Sequence, residues 1–142
     1  MTDALTAANA SAGLEPGVIP YIVVERATEA IAFYRRAFAA EEVGVRPAED
    51  GKRVMHAQLT INGGSIMLND PFPEHGHPAA PLSCLIMQLL VDDAQAWFDR
   101  AVQAGCAPTM PVQLMFWGDK WGTVTDPFGV QWAFNESGSK GA

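Results

Sequence analysis

The fold turns on two stretches, residues 28–40 (TEAIAFYRRAFAA) and residues 93–104 (DAQAWFDRAVQA). In the first, Ala30, Ile31, Tyr34, Ala37 and Phe38 recur at spacings of three and four, with Glu29, Arg35 and Arg36 on the other side. In the second, Ala94, Trp97, Phe98, Ala101 and Val102 form the stripe, opposite Gln95, Asp99, Arg100 and Gln103. This periodicity predicts two amphipathic helices. A shift of 64 lays one on the other: Ala30 on Ala94, Phe33-Tyr34 on Trp97-Phe98, Arg36-Ala37 on Arg100-Ala101.

The flanks repeat as well. A run rich in Val, Ile and Leu precedes each helix, at 18–24 and at 85–91, and reads as a strand. After the first helix come 42–46, the turn Asp50-Gly51, 53–61, the dipeptide Asn62-Gly63 and 65–69. Asn-Gly between apolar runs is a strong hairpin signal. After the second come 107–112, a Trp-rich stretch to Thr125, the turn Asp126-Pro127-Phe128-Gly129 and 130–135. A shift of 66 lays 65–69 on 131–135. The order strand, helix, three strands therefore occurs twice, which predicts an α+β fold of two tandem βαβββ modules. Module one covers 18–70 and module two 82–136, with the Pro-rich 71–81 as connector. Residues 1–17 and 137–142 read as flexible ends.

Composition bounds the function. The 142 residues suit one domain, and 49% hydrophobic against 18% charged residues allow a buried core. A net charge of −7 and a pI near 4.7 argue against nucleic acid, whose phosphates need clustered Lys and Arg. Residues 1–17 carry no Lys or Arg and no signal-type apolar run, and no stretch approaches the roughly 18 apolar residues of a membrane span. The expectation is a cytoplasmic protein with no membrane partner. Cys84 and Cys106 sit among apolar residues and read as buried free thiols.

An ordered set of motifs carries a resemblance. It comprises Pro20-Tyr21, then Glu29-Ala30-Ile31-Ala32-Phe33-Tyr34, His56-Ala57 and Gly63-Gly64-Ser65-Ile66-Met67-Leu68. Phe116-Trp117-Gly118-Asp119-Lys120-Trp121-Gly122 and Asp126-Pro127-Phe128-Gly129-Val130-Gln131-Trp132 complete it. Over residues 18–136 the chain resembles the vicinal oxygen chelate superfamily, the glyoxalase, bleomycin-resistance and dioxygenase group. Its PhnB-like, 3-demethylubiquinone methyltransferase-like branch is the nearest in pattern. The resemblance implies two βαβββ modules curled as a mixed sheet around a cup-shaped cleft. It implies pairing as homodimers, sometimes with exchanged modules. It also implies a divalent metal held by four side chains, one from the first and one from the last strand of each module, acting as Lewis acid.

Carried over residue by residue, the metal pattern falls on Ile19, Met67, Ile86 and Ala133. None of these side chains ligates a hard or borderline cation. A slip of one brings in only further non-ligands, and a slip of two brings in Tyr21, Asn69, Gln88 and Asn135. The expectation is no metal and no other cofactor. The branch's methyltransferase label has no support from a glycine-rich motif for a methyl-donor nucleotide.

The remaining polar chemistry follows from the hairpin. A two-residue turn at Asn62-Gly63 sets Thr60 opposite Ser65, Gln58 opposite Met67 and His56 opposite Asn69, and opposed residues share a face. His56, Gln58, Met67 and Asn69 then line the cup. His56 is the candidate general base, with a reference pKa near 6.5, or else a hydrogen-bonded structural histidine. Trp117, Asp119, Lys120 and Trp121 either line the mouth of a cleft and contact a flat or cationic ligand, or form core and turn. Glu74, His75 and His77 sit in the connector and read as a solvated loop.

Three functions fit these residues. The first is a small-molecule binder working without the family's metal. The second is a metal-independent isomerase, lyase or transferase with His56 as base. The third is a structural or regulatory module whose cup is filled by its own side chains.

Overall fold

A computed structural model describes residues 17–138, so the proposed flexible ends lie almost wholly outside the described residues. The first module comprises β1 (Tyr21–Val23), α1 (Ala27–Phe38), β2 (Glu41–Pro47), β3 (Val54–Ile61) and β4 (Gly64–Asn69). The second comprises β5 (Ile86–Leu90), α2 (Ala94–Ala104), β6 (Ala107–Leu114), β7 (Lys120–Thr125) and β8 (Gln131–Glu136). Strand, helix and three strands thus occur twice. The modules form four-stranded sheets in the orders β1-β4-β3-β2 and β5-β8-β7-β6. In each, the first strand pairs parallel with the last and the remaining pairs are antiparallel. The two sheets do not close on each other, and β1 and β5 are free edges.

Local chemistry sets the registers. Asn62 and Gly63 both take positive φ, 51° and 83°. That is the type I′ turn that matches strand twist, and Asn and Gly tolerate it best. The turn fixes Thr60 opposite Ser65 and Gln58 opposite Met67.

Each helix start is tied to the end of its own module's last strand. Arg26, the residue before α1, makes no side-chain cap, and Asp70 supplies it from beyond β4. The Asp70 carboxylate accepts the Ala27 N–H at 2.9 Å and the Val54 N–H at 2.7 Å. In the second module Glu136 accepts the Ala94 N–H at 2.9 Å, and Asp93 accepts that of Ala96 at 3.1 Å. Negative groups belong at helix N-termini, where N–H groups lack partners. These ties set Ala27 equivalent to Ala94, a shift of 67. The helix match by 64 is therefore slipped by three residues, because an amphipathic stripe resembles itself one turn on.

The helices join the modules into one core. Tyr34 and Phe38 of α1 lie against Trp132 of the second sheet, with ring centroids 5.4 and 4.3 Å apart. Phe38 also meets Phe134 at 6.1 Å. The buried Asp126 carboxylate accepts the Tyr34 hydroxyl at 2.6 Å, the Trp132 indole N–H at 2.9 Å and the N–H groups of Phe128 and Val130. Arg100 of α2 donates to the Ala37 carbonyl of α1 at 3.0 Å. Ile22, Ala57, Leu59, Ile66 and Leu68 of the first sheet belong to the same buried cluster. The helix-covered faces of both sheets therefore share one interior, and alternate side chains point to a second face on each sheet, away from the helices.

The connector is exposed over residues 73–81, as a solvated loop is, and one ion pair ties its start to the first module. Pro73–His75 form a single 3-10 turn. The Arg53 guanidinium sits 4.1 Å from the centroid of the buried Phe72 ring and pairs with Asp50 at 2.7 Å and Glu74 at 2.8 Å. Glu74 thus anchors the connector, while His75 and His77 stay exposed. No helix among the described residues is long and apolar enough to cross a membrane.

Candidate functional site

The open face of the first sheet collects the polar residues read from the hairpin. Gln58 stands opposite Met67, and Met67 stands beside Tyr21 of β1. His56, two before Gln58, and Asn69, two after Met67, share that face. Arg46 stands opposite His56 on the other side, from β2.

Tyr21 and His56 are joined. The Tyr21 hydroxyl lies 3.0 Å from His56 Nδ1, and the rings are 5.7 Å apart. Their strands are separated by β4, so about 10 Å of sheet lies between the two backbones. The bridge must then pass over Met67 and Asn69. Burial and the charge of Arg46 lower the His56 pKa, which favours the neutral imidazole at physiological pH. Burial raises that of Tyr21, so the phenol stays protonated.

On the same face two buried polar atoms have no partner among the described residues. Gln58 is 3% exposed, and its Nε2 makes no hydrogen bond within the described residues. Asn69 Oδ1 is likewise buried and unpaired.

The second sheet carries the matching arrangement. Gln88 stands beside Ala133 as Tyr21 stands beside Met67, and Trp121 stands opposite Asn135. The Trp121 indole N–H donates to Gln88 Oε1 at 2.9 Å, again spanning the last strand of the module. Here the neighbouring polar side chains have partners within the chain. Asn135 Nδ2 donates to Asp119 Oδ2 at 2.9 Å, and the Thr123 hydroxyl pairs with that of Thr109 at 2.6 Å.

Asp119 is accordingly occupied within the chain, accepting from Asn135 and from the Gly138 N–H at 3.1 Å, and these bonds lower its pKa. Trp117 packs edge-on to Trp121 at 6.1 Å and remains 46% exposed, with Phe116 almost fully exposed beside it. Lys120 is exposed. The structure thus brings His56, Gln58, Met67 and Asn69 together on one sheet, and Trp117, Asp119, Lys120 and Trp121 at one end of the other. It does not merge the two groups. Tyr21, Arg46 and Gln88 are the partners that the sequence reading did not assign. Tyr21 and Gln88 sit at equivalent positions under the repeat, which was the available signal.

The four positions that the resemblance assigns to the metal carry apolar or thioether side chains. Met67 and Ala133 lie beside Tyr21 and Gln88 in the last strands, and Ile86 begins β5, two residues before Gln88. With Ile19 ahead of β1, the four offer no nitrogen or oxygen side-chain donor. Among the described residues no three His, Cys, Asp or Glu side chains cluster as a metal site. A separate cavity of about 330 Å³ opens at the seam between the modules, lined by Pro20, Ile61, Ser65, Ile86, Gln88, Trp132 and their neighbours.

Comparison with known proteins agrees with this architecture. Residues 17–134 match the sequence profile of the Glyoxalase/Bleomycin resistance protein/Dioxygenase superfamily. An uncharacterized protein of Mycobacterium tuberculosis H37Rv is 40% identical over 129 residues, covering 87% of this chain and 75% of that protein. The crystal structure of protein PA1353 from Pseudomonas aeruginosa is similar with a TM-score of 0.66 at 26% identity, covering 87% of this chain and 98% of that one. A Bacillus cereus structure described as a putative 3-demethylubiquinone-9 3-methyltransferase, PhnB protein, shares the fold with a TM-score of 0.67 at 22% identity, covering 86% and 100%. With a profile match over most of its length and the paired βαβββ modules in place, the chain belongs to the Glyoxalase/Bleomycin resistance protein/Dioxygenase superfamily.

Proposed function

We propose that this protein binds a small organic molecule on the open face of its first sheet, around Tyr21 and His56, without the family's usual metal. The observation that carries the reading is the hydrogen-bonded Tyr21–His56 pair on a face that the helices leave uncovered. A neutral imidazole and a phenol offer a donor and an acceptor whose roles depend on the histidine tautomer. The apolar donor set at Ile19, Met67, Ile86 and Ala133 supports metal-independence. Trp117 and Trp121 supply aromatic surface for a flat ligand on the second sheet.

A second reading rests on the same pair. If His56 Nδ1–H donates to the Tyr21 oxygen, its Nε2 lone pair is free to accept a proton from a bound substrate. His56 is then the general base of an isomerase, lyase or transferase. The free edges β1 and β5 and the exposed Phe116 and Trp117 support a homodimer as the working form.

A thermal-shift screen of the full chain against drugs and metabolites, repeated with His56→Ala, tests both readings. Hits that depend on His56 are expected, and EDTA should leave them unchanged. Hits that vanish with EDTA, or that ignore His56→Ala, overturn the assignment. Turnover of a hit by the wild type and not by His56→Ala selects the enzymatic reading.

A further inference from the structure

The repeat supplies an internal control for the unpaired amides. Asn69 and Asn135 are equivalent, two residues beyond Met67 and Ala133 in the last strands. Asn135 Nδ2 donates to Asp119, and no atom of Asn135 is buried and unpaired, whereas Asn69 Oδ1 is buried with no partner among the described residues. Gln58 and Thr123 are equivalent, standing opposite Met67 and Ala133. Thr123 is paired with Thr109, whereas Gln58 Nε2 is unpaired. Among the described residues the second module leaves no buried unpaired side-chain atom at these positions, whereas the first leaves an amide donor and an amide acceptor bare.

Leaving such groups buried without partners carries a free-energy penalty, and native chains keep few of them. They share the face that carries a single hydrogen bond between a half-exposed Tyr21 and His56. Such side chains rearrange on the picosecond-to-nanosecond scale. Swinging Tyr21 off His56 opens the face above Asn69 and Gln58.

We propose that Gln58 and Asn69 form a recognition subsite for a carboxamide-type group, the ligand carbonyl accepting from Gln58 Nε2 and the ligand N–H donating to Asn69 Oδ1, with the Tyr21–His56 bridge as its cover. This deepens the function proposed above and rests on the same face. A carboxylate offers no donor to Asn69 Oδ1, and a ketone offers only half of the pair. A site built for both hydrogen bonds discriminates strongly against a ligand lacking one, because a buried group then stays unpaired.

The test uses the full chain labelled with nitrogen-15 and three probes of one shape: benzamide, acetophenone and benzoate. Benzamide should move the side-chain NH2 signals of Gln58 and Asn69 and the ring signals of His56. Acetophenone and benzoate should bind at least about tenfold more weakly, the factor that one hydrogen bond contributes. Gln58→Leu should weaken benzamide by a similar factor without lowering the melting temperature, since it removes an unpaired donor. Tyr21→Phe should tighten benzamide by releasing the cover. Equal binding of the three probes, or benzamide binding that ignores Gln58→Leu, overturns the proposal. If the probes move His56 and leave Gln58 and Asn69 still, the carboxamide assignment fails and the site around His56 stands. If no probe moves any open-face signal, the bare amides serve bound water at most, the assignment fails, and the library screen alone decides the wider site.

Discussion

Replacing Tyr34 with Phe isolates the contact that most directly joins the two modules. Tyr34 lies on the helix of the first module, and its hydroxyl donates to Asp126, in the last turn of the second, at 2.6 Å. The ring is fully buried, against Phe38, Phe128 and Trp132, and Phe keeps all of that packing. Only the oxygen is lost, so no cavity of consequence forms. A hydrogen bond to a carboxylate contributes roughly 1.5–3 kcal/mol. Asp126 Oδ2 keeps the Trp132 indole N–H, and Oδ1 keeps the Phe128 and Val130 N–H groups, so the carboxylate is not left bare. The loss should therefore fall near the middle, about 2 kcal/mol. For a domain of this size about 4 °C of melting temperature accompanies each kcal/mol, so Tyr34→Phe should melt about 8 °C lower. The assay is urea and thermal unfolding followed by circular dichroism, with Tyr21→Phe as control. Tyr21 is half exposed, and its hydroxyl bond is open to water, so the control should change stability by less than about 1 kcal/mol. A Tyr34→Phe protein within about 0.5 kcal/mol of wild type refutes the view that this bond couples the modules.

The chain has two tyrosines, and they should separate in an alkaline titration followed by ultraviolet absorbance. Burial first, then the charge and hydrogen bond of Asp126, raise Tyr34 well above the ordinary value of 10.0, whereas burial raises Tyr21 less. One phenol should ionise before unfolding and the second only with it; two equal steps in the folded protein contradict this. Because the folded chain holds the Tyr34 proton while the unfolded chain releases it near pH 10, stability should be complete below that pH and fall as pH rises above it. His56 should titrate below its ordinary 6.5 by NMR, through burial and the charge of Arg46. Below about pH 6.5 the unfolded chain takes up this proton before the folded one does, so this contribution to stability is full above 6.5 and declines as pH falls. Arg46→Gln should raise the midpoint, and a midpoint that does not move excludes Arg46 as a cause. Burial pushes the Cys106 thiol up to about 12, with the charge of Asp126 adding to it, while Cys84, expected to be buried from its apolar neighbours, is exposed. Ellman's reagent should find one reactive thiol in the folded chain and two in urea.

The fold was legible because its signals are local. Helix stripes, the Asn62-Gly63 turn and the repeated order of elements each follow from a few neighbouring residues, and the hairpin register placed His56 and Gln58 on one face with Met67. The reading weakened where one turn of helix resembles the next, which is why the helix match slipped from 67 to 64. Arg53 carries no such local signal, and its pairing with Asp50 and Glu74 and its contact with Phe72 tie the start of the exposed connector to the first module. Those partners are up to 21 residues apart, and no spacing rule links them.

The sequence by itself determined the paired modules, the superfamily resemblance and the apolar character of the four metal positions, since those are properties of residue type and order. Only the tertiary structure decided what each polar residue meets. Tyr21 reaches His56 across an intervening strand, and Trp121 reaches Gln88 in the same way. Asp119 accepts from Asn135 Nδ2, while Asn69 Oδ1 has no partner among the described residues. Strand pairing sets such contacts, bringing together residues tens of positions apart, and the pairing partner of a strand is not written in the strand's own pattern.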